Sequence, residues 1–205
     1  MNRYCNKFFY SPITMILLIA LAAAVTMAVC GTALAQLPSS ADSNATTAPS
    51  TNMILESARE QYMAAWNRTT FNATFNTFVE PNSTAGFGVY KEHGNVFRPG
   101  ERIVLYVEPV GYGHKPIVDN QGKILYLINM TADLVITDSN GTVLARINNV
   151  PVESIASHRT NTELFLELTL SQQRPFPAGD YTIRYTITDE VSGKSFQLAK
   201  QIRIA

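Results

Sequence analysis

The chain has 205 residues, 16 basic and 16 acidic side chains, and only 2 cysteines. That even charge balance lacks the basic excess that phosphate backbones attract, which argues against nucleic acid as a partner. Both cysteines, Cys5 and Cys30, lie near the N-terminus. The remainder therefore has no disulfide, no cysteine nucleophile and no thiolate for a blue-copper ligand set.

The first segment reads MNRYCNKFFYSPITMILLIALAAAVTMAVCGTALAQLP. Arg3 and Lys7 precede an apolar run of 18 residues from Ile13 to Cys30, and no acidic residue occurs before Asp42. Ala33-Leu34-Ala35 then supplies the small-x-small pattern that signal peptidase cuts. Two readings stay open for residues 1–35: a signal peptide cleaved near Ala35, or a retained N-terminal membrane anchor. Processing as a lipoprotein at Cys30 is disfavoured by the bulky Val29. In both readings the positive flank stays inside and the rest of the chain is extracytoplasmic. Arg3 and Lys7 are the only charges before Asp42, so 14 basic residues face 16 acidic ones in the exported part.

Residues 36–52, QLPSSADSNATTAPSTN, carry almost no large apolar side chain and read as a flexible spacer. Residues 53–86 read as a helical segment packed on the domain that follows. Ile54, Ala58, Tyr62 and Trp66 recur at helical spacing, which predicts a helix of about 15 residues from Met53. Phe71, Phe75 and Phe78 continue a 4-3 spacing among weak helix formers. This aromatic stripe is expected to glue the helix to its neighbour.

From Phe87 the apolar period becomes 2, and residues 87–205 read as one domain. RIVLYVE, KILYLINM, ADLVITD, TVLARI, TELFLELTL, YTIRYTITD and SFQLAKQIRI are the predicted strands, and Ser139-Asn140-Gly141 marks a hairpin turn. About seven or eight short strands without intervening helices predict a mainly β fold, an antiparallel sandwich with one apolar and one wet face per strand.

PFPAGDYTIRYTITDEVSGKSFQLAKQIRI resembles the closing hairpin of prokaryotic, archaeal-type, immunoglobulin-like and fibronectin-type-III-like surface domains. It shares their Pro-x-Gly-x-Tyr turn, Tyr-started strand and Ser-Gly-Lys hairpin. FRPGERIVLYVE resembles their early strand. The resemblance spans Phe87 to Ala205 and is architectural; the Cys…Trp…Cys spacing of antibody-type domains is absent. It implies an immunoglobulin-like fold and carries no activity with it.

Six Asn-x-Ser/Thr sequons, at Asn44, Asn67, Asn72, Asn82, Asn129 and Asn140, make a glycoprotein the expectation. Catalytic signals are missing. His93, His114 and His158 show no metal-ligand spacing, no Gly-x-Ser-x-Gly elbow occurs, and Asp189-Glu190 reads as hairpin chemistry. No catalytic residue, cofactor or metal is therefore assigned. The one polar, glycine-rich stretch is Pro109–Gly122, a 14-residue connection between two predicted strands. Glu108, Tyr112, His114, Lys115 and Asp119 make it a candidate recognition loop. The leading expectation is a non-enzymatic, exported cell-envelope protein that binds another exported or envelope protein, or glycan. The alternative is an extracytoplasmic domain that binds a metal ion or carbohydrate through the 109–122 loop.

Overall fold

The computed structural model describes residues 50–205. The leader, most of the spacer and Asn44 lie outside the described residues. Among those described, no helix is long and apolar enough to cross a membrane.

The chain enters through α1 (Thr51–Arg68), two residues earlier than the expected spacer boundary. Ser50 starts it because its side chain accepts a bond from the Met53 N–H, one of the donors a helix N-terminus leaves unpaired. Only the last turn of α1 packs: Trp66 is buried and Met63 half-buried, whereas Ile54 and Tyr62 are exposed. The expected stripe thus glues the helix at one end only.

Segment 53–86 is not helical throughout. After Arg68 the chain becomes β1 (Asn72–Val79), which pairs antiparallel with β3 (Ile103–Val110). Thr and Asn between the phenylalanines are weak helix formers, and in the strand that forms instead the pleat separates the aromatics. Phe78 faces the main core, while Phe75 meets Tyr90 and Tyr106 on the opposite face.

β3 carries β1 on one edge and β7 (Leu166–Leu170) on the other, forming a three-stranded sheet. The second sheet has six strands: β2 (Val96–Phe97), β9 (Lys194–Ile204), β8 (Gly179–Asp189) and β5 (Ile124–Asp138), with β4 (Lys115–Val118) and β6 (Val143–Ser157) both paired to β5. Pairing is antiparallel except for the short β2, which runs parallel to β9. The fold is therefore mainly β, with two sheets around one core. Ile103, Leu105 and Val107 of β3 and Leu166 and Leu168 of β7 face Ile128, Ile136, Ile183 and Ile187 of the larger sheet.

Three local expectations need correction. β3 is buried on both faces, because its outer Val104 and Tyr106 are covered by Val79, Tyr90 and Phe165. The predicted strands 123–130 and 132–138 are one 15-residue strand, β5. β6 runs on past Ile147, where the predicted strand TVLARI ends, to Ser157 through the sequence Asn-Asn-Val-Pro-Val. It tolerates those residues because it is an edge strand with three bulges, which place Leu144, the Asn148–Asn149 pair and Val152 as its surplus residues. Asn149 takes the left-handed region at φ 54, and its N–H is held by the Asp133 carboxylate at 2.7 Å. Bulges bend and twist the strand that carries them, and β6 comes against β7 of the other sheet.

Candidate functional site

The stretch 108–122 is the natural starting point, and it is not one loop. Lys115–Val118 forms β4, paired with residues 124–127 of β5 through a tight turn. Asp119 builds that turn: its Oδ1 accepts from the N–H groups of Gln121 and Lys123, both at 2.8 Å, and Gly122 takes φ 77. Asp138 does the same for Asn140 and Thr142 at 2.9 and 2.8 Å, so an Asp-x-x-Gly pattern makes both hairpins. Recognising that pattern at 138 would have reassigned Asp119 from recognition to turn chemistry. Lys115 is exposed on β4.

Glu108 belongs elsewhere. It lies two residues beyond Tyr106 on the outer face of β3 and accepts the Tyr106 hydroxyl proton at 2.9 Å, while the Gly88 N–H donates to the same hydroxyl at 2.8 Å. Burial, with the neighbouring carboxylate adding to it, pushes the Tyr106 phenol up to about 12.

Tyr112 and His114 do come together, in a buried corner. The Trp66 Nε1–H donates to the Tyr112 carbonyl at 2.9 Å, and the two rings meet edge to face at 4.9 Å. The Asn161 carbonyl accepts both the Tyr112 hydroxyl at 3.0 Å and His114 Nε2 at 2.6 Å, which places the imidazole proton on Nε2. Burial drives the Tyr112 phenol far above its ordinary range. Gly111 is required here, since at φ 74 a Cβ would stand 2.6 Å from the Thr69 carbonyl oxygen.

Asp189 closes the corner from the β8–β9 hairpin and is fully buried. It accepts from the Gly113 N–H at 2.8 Å, the Val191 N–H at 3.0 Å and the Ser192 hydroxyl. A buried carboxylate with three donors is a structural tie. Trp66, Asn161 and Asp189 were not expected as its partners, because they lie 46, 49 and 76 residues away from the residues they bind. The corner therefore joins α1, the 111–114 segment, the 161 loop and the last hairpin.

His93 sits apart, stacked on Phe97 at 4.6 Å, with Nε2 3.2 Å from Glu101 and Nδ1 2.7 Å from the Gly94 carbonyl. His158 is exposed. The histidines thus do not converge with Glu108 or Asp119, and no cluster of three or more His, Cys, Asp or Glu among the described residues could hold a metal ion. Of the sequon asparagines, Asn67, Asn72, Asn82 and Asn140 are exposed. Asn129 lies inside β5, between Ser154 of β6 and the Glu190 N–H that its carbonyl accepts at 2.9 Å.

Open chemistry lies on another side, between β6 and β7. One hollow of about 360 Å³ is lined by apolar side chains of β5, β6 and β7 together with Tyr185. A second, of about 510 Å³, holds Glu153, Glu163 and Glu167 and shares Val152 and Glu167 with the first. Burial raises the Glu153 carboxyl above its ordinary range. No family model matches the chain, and no curated protein matches it.

Proposed function

We infer that the chain is an exported cell-envelope protein whose residues 87–205 form an immunoglobulin-like β-sandwich that binds another exported or envelope protein without catalysing a reaction. The observation that carries this reading is the uncovered β6 edge. Val143, Leu144, Ile147 and Val150 remain between 38% and 51% exposed on a single strand. Clustered exposed apolar side chains of this kind mark contact surfaces more often than chance exposure does. The immunoglobulin-like assignment is supported by Tyr181, whose hydroxyl donates back to the Pro177 carbonyl at 2.8 Å, as in the tyrosine corner of such domains. The metal- or carbohydrate-binding alternative loses its support because Tyr112, His114 and Asp119 are engaged in internal bonds.

The leader and spacer fit the same reading, holding the domain at or releasing it from the membrane. N-glycans belong at the exposed Asn67, Asn72, Asn82 and Asn140, while the paired Asn129 stays bare. Affinity isolation of the full-length protein from its native envelope tests the reading: an exported protein should co-purify in stoichiometric amount, and a protein that isolates alone overturns it. Glycopeptide mass spectrometry checks the sequons, and unmodified peptides at every site would remove the glycoprotein assignment.

A further inference from the structure

The two sheets leave one long side on which neither edge strand has a further partner among the described residues: β6 on one rim, β7 on the other. The floor between them contains a chemical oddity. Tyr185 is 4% exposed and lines the apolar hollow, yet its hydroxyl, like Thr84 Oγ1 and His114 Nδ1 elsewhere, has no hydrogen-bond partner among the described residues. An unpaired buried hydroxyl is destabilising, and few buried polar groups in proteins lack a partner. Leu134, Ile147, Val150, Leu168 and Leu170 surround it. Along the same cleft Glu153, Glu163 and Glu167 gather, and none takes part in the ion pairs formed among the described residues.

We propose that this cleft receives an extended segment of a second exported protein, with alternate apolar side chains in the hollow over Tyr185 and lysine or arginine beside Glu153, Glu163 and Glu167. The proposal deepens the reading of the domain as an interaction module and rests on it. Length favours a peptide: the cleft follows β6 from Ile147 to Ile155, opposite Leu134 to Ile128 of β5, about 20 Å at roughly 3.3 Å per residue. An extended chain alternates its side chains at that rise, and pockets for alternate residues supply specificity in strand-like recognition. Charge selects the occupant. Three carboxylates repel a fatty-acid headgroup or an acidic peptide and attract a basic one. A second copy of this chain is disfavoured at the same place, because its own β6 would bring Glu153 towards the same carboxylates. Pro151 offers no N–H and the Asn149 N–H is already bound to Asp133, so the occupant is held through its side chains rather than by a ladder along β6. An occupant's backbone carbonyl reaches the Tyr185 hydroxyl, which has less than 1 Å² of accessible surface in the free domain, only as the side chains over it part.

The test uses a fluorescein-labelled peptide of about eight residues, with lysine alternating with valine in one half and threonine with leucine in the other. Its counterpart carries glutamate at the lysine positions, and both are titrated by anisotropy against the full-length protein. The basic peptide should bind about tenfold or more tightly than the acidic one, and added salt should narrow the gap. The double variant Glu163→Lys with Glu167→Lys, both side chains exposed and so harmless to folding, should abolish or reverse that preference. Tyr185→Phe should weaken binding severalfold while the free domain melts no lower. Equal affinity for the two peptides, no binding of either, or indifference to the double variant overturns the proposal. If the basic peptide fails while an envelope partner still co-isolates, the cleft is wrong and the interaction reading stands. If it binds while the protein isolates alone, the cleft stands and the envelope role falls.

Discussion

Tyr112 and Tyr185 are both buried tyrosines in the same core, and they are treated in opposite ways. The Tyr112 hydroxyl ends on the Asn161 carbonyl, its ring meets Trp66, and its own carbonyl receives the indole N–H. The Tyr185 hydroxyl ends on nothing among the described residues. Around Tyr112 the polar groups with long-range partners tie four segments together, whereas around Tyr185 two strand edges face a cleft with uncompensated carboxylates. A corner whose polar groups, His114 Nδ1 apart, are spent internally holds the fold; the cleft leaves the Tyr185 hydroxyl unpaired and its carboxylates outside any ion pair among the described residues. The stretch that looked most functional in sequence is the first kind.

That contrast can be broken most forcefully at Gly111. Gly111→Ala drives a Cβ to 2.6 Å from the Thr69 oxygen at a positive φ, and should destabilise the domain by about 4 kcal/mol in denaturant titrations. A loss under about 1 kcal/mol would mean that the corner is pliable. Asp189→Ala leaves the Gly113 and Val191 N–H groups and the Ser192 hydroxyl without their acceptor and should cost about 3 kcal/mol. If chemical denaturation shows no change, the carboxylate is not the tie described above.

Alkaline pH probes the buried phenols together. The Tyr106 phenol is raised to about 12 from an ordinary 10.0, so its neutral form is favoured in the folded state. Its contribution is fully present below pH 10 and is lost as pH rises towards 12, on the order of 2 kcal/mol. Tyr112 and Tyr185 act in the same direction. Denaturation midpoints measured across that interval should fall, with the tyrosinate absorbance of Tyr106, Tyr112 and Tyr185 rising only as the protein unfolds; a flat profile would contradict the burial of these rings.

The smallest effect is the most discriminating. Tyr112→Phe removes a made hydrogen bond and should cost about 1 kcal/mol, whereas Tyr185→Phe removes an unmade one and should be neutral or stabilising by up to about 1 kcal/mol. Matched thermal melts of the two variants decide it, and equal losses would erase the distinction between corner and cleft.

Much of the sheet structure was legible. Alternation in YTIRYTITD gives β8 its inward Tyr181, Ile183, Tyr185 and Ile187, and the Ser139-Asn140-Gly141 turn lies between β5 and β6. Other segments misled for identifiable reasons. Phe71, Phe75 and Phe78 fall at a spacing compatible with helix, yet β1 sends Phe75 and Phe78 to opposite faces. The second half of β6 contains two Asn and a Pro, which weaken strand propensity but suit a bulged edge. Asp119 was misassigned because an acidic side chain in a polar stretch looks available until its turn is drawn.

Period, turn chemistry and composition act between near neighbours in the chain, so the amino-acid sequence by itself determined the β-rich class, most strand positions and the helix before them. Whether a polar side chain is spent or free depends on groups dozens of residues away. Trp66 reaches Tyr112 and Asp189 reaches Gly113 only after the sheets have packed. The open cleft depends equally on packing, because β6 and β7 become facing rims only when two sheets, separate in hydrogen bonding, close over one core. Tertiary structure alone decided which tyrosine hydroxyl was satisfied and which was left unpaired among the described residues.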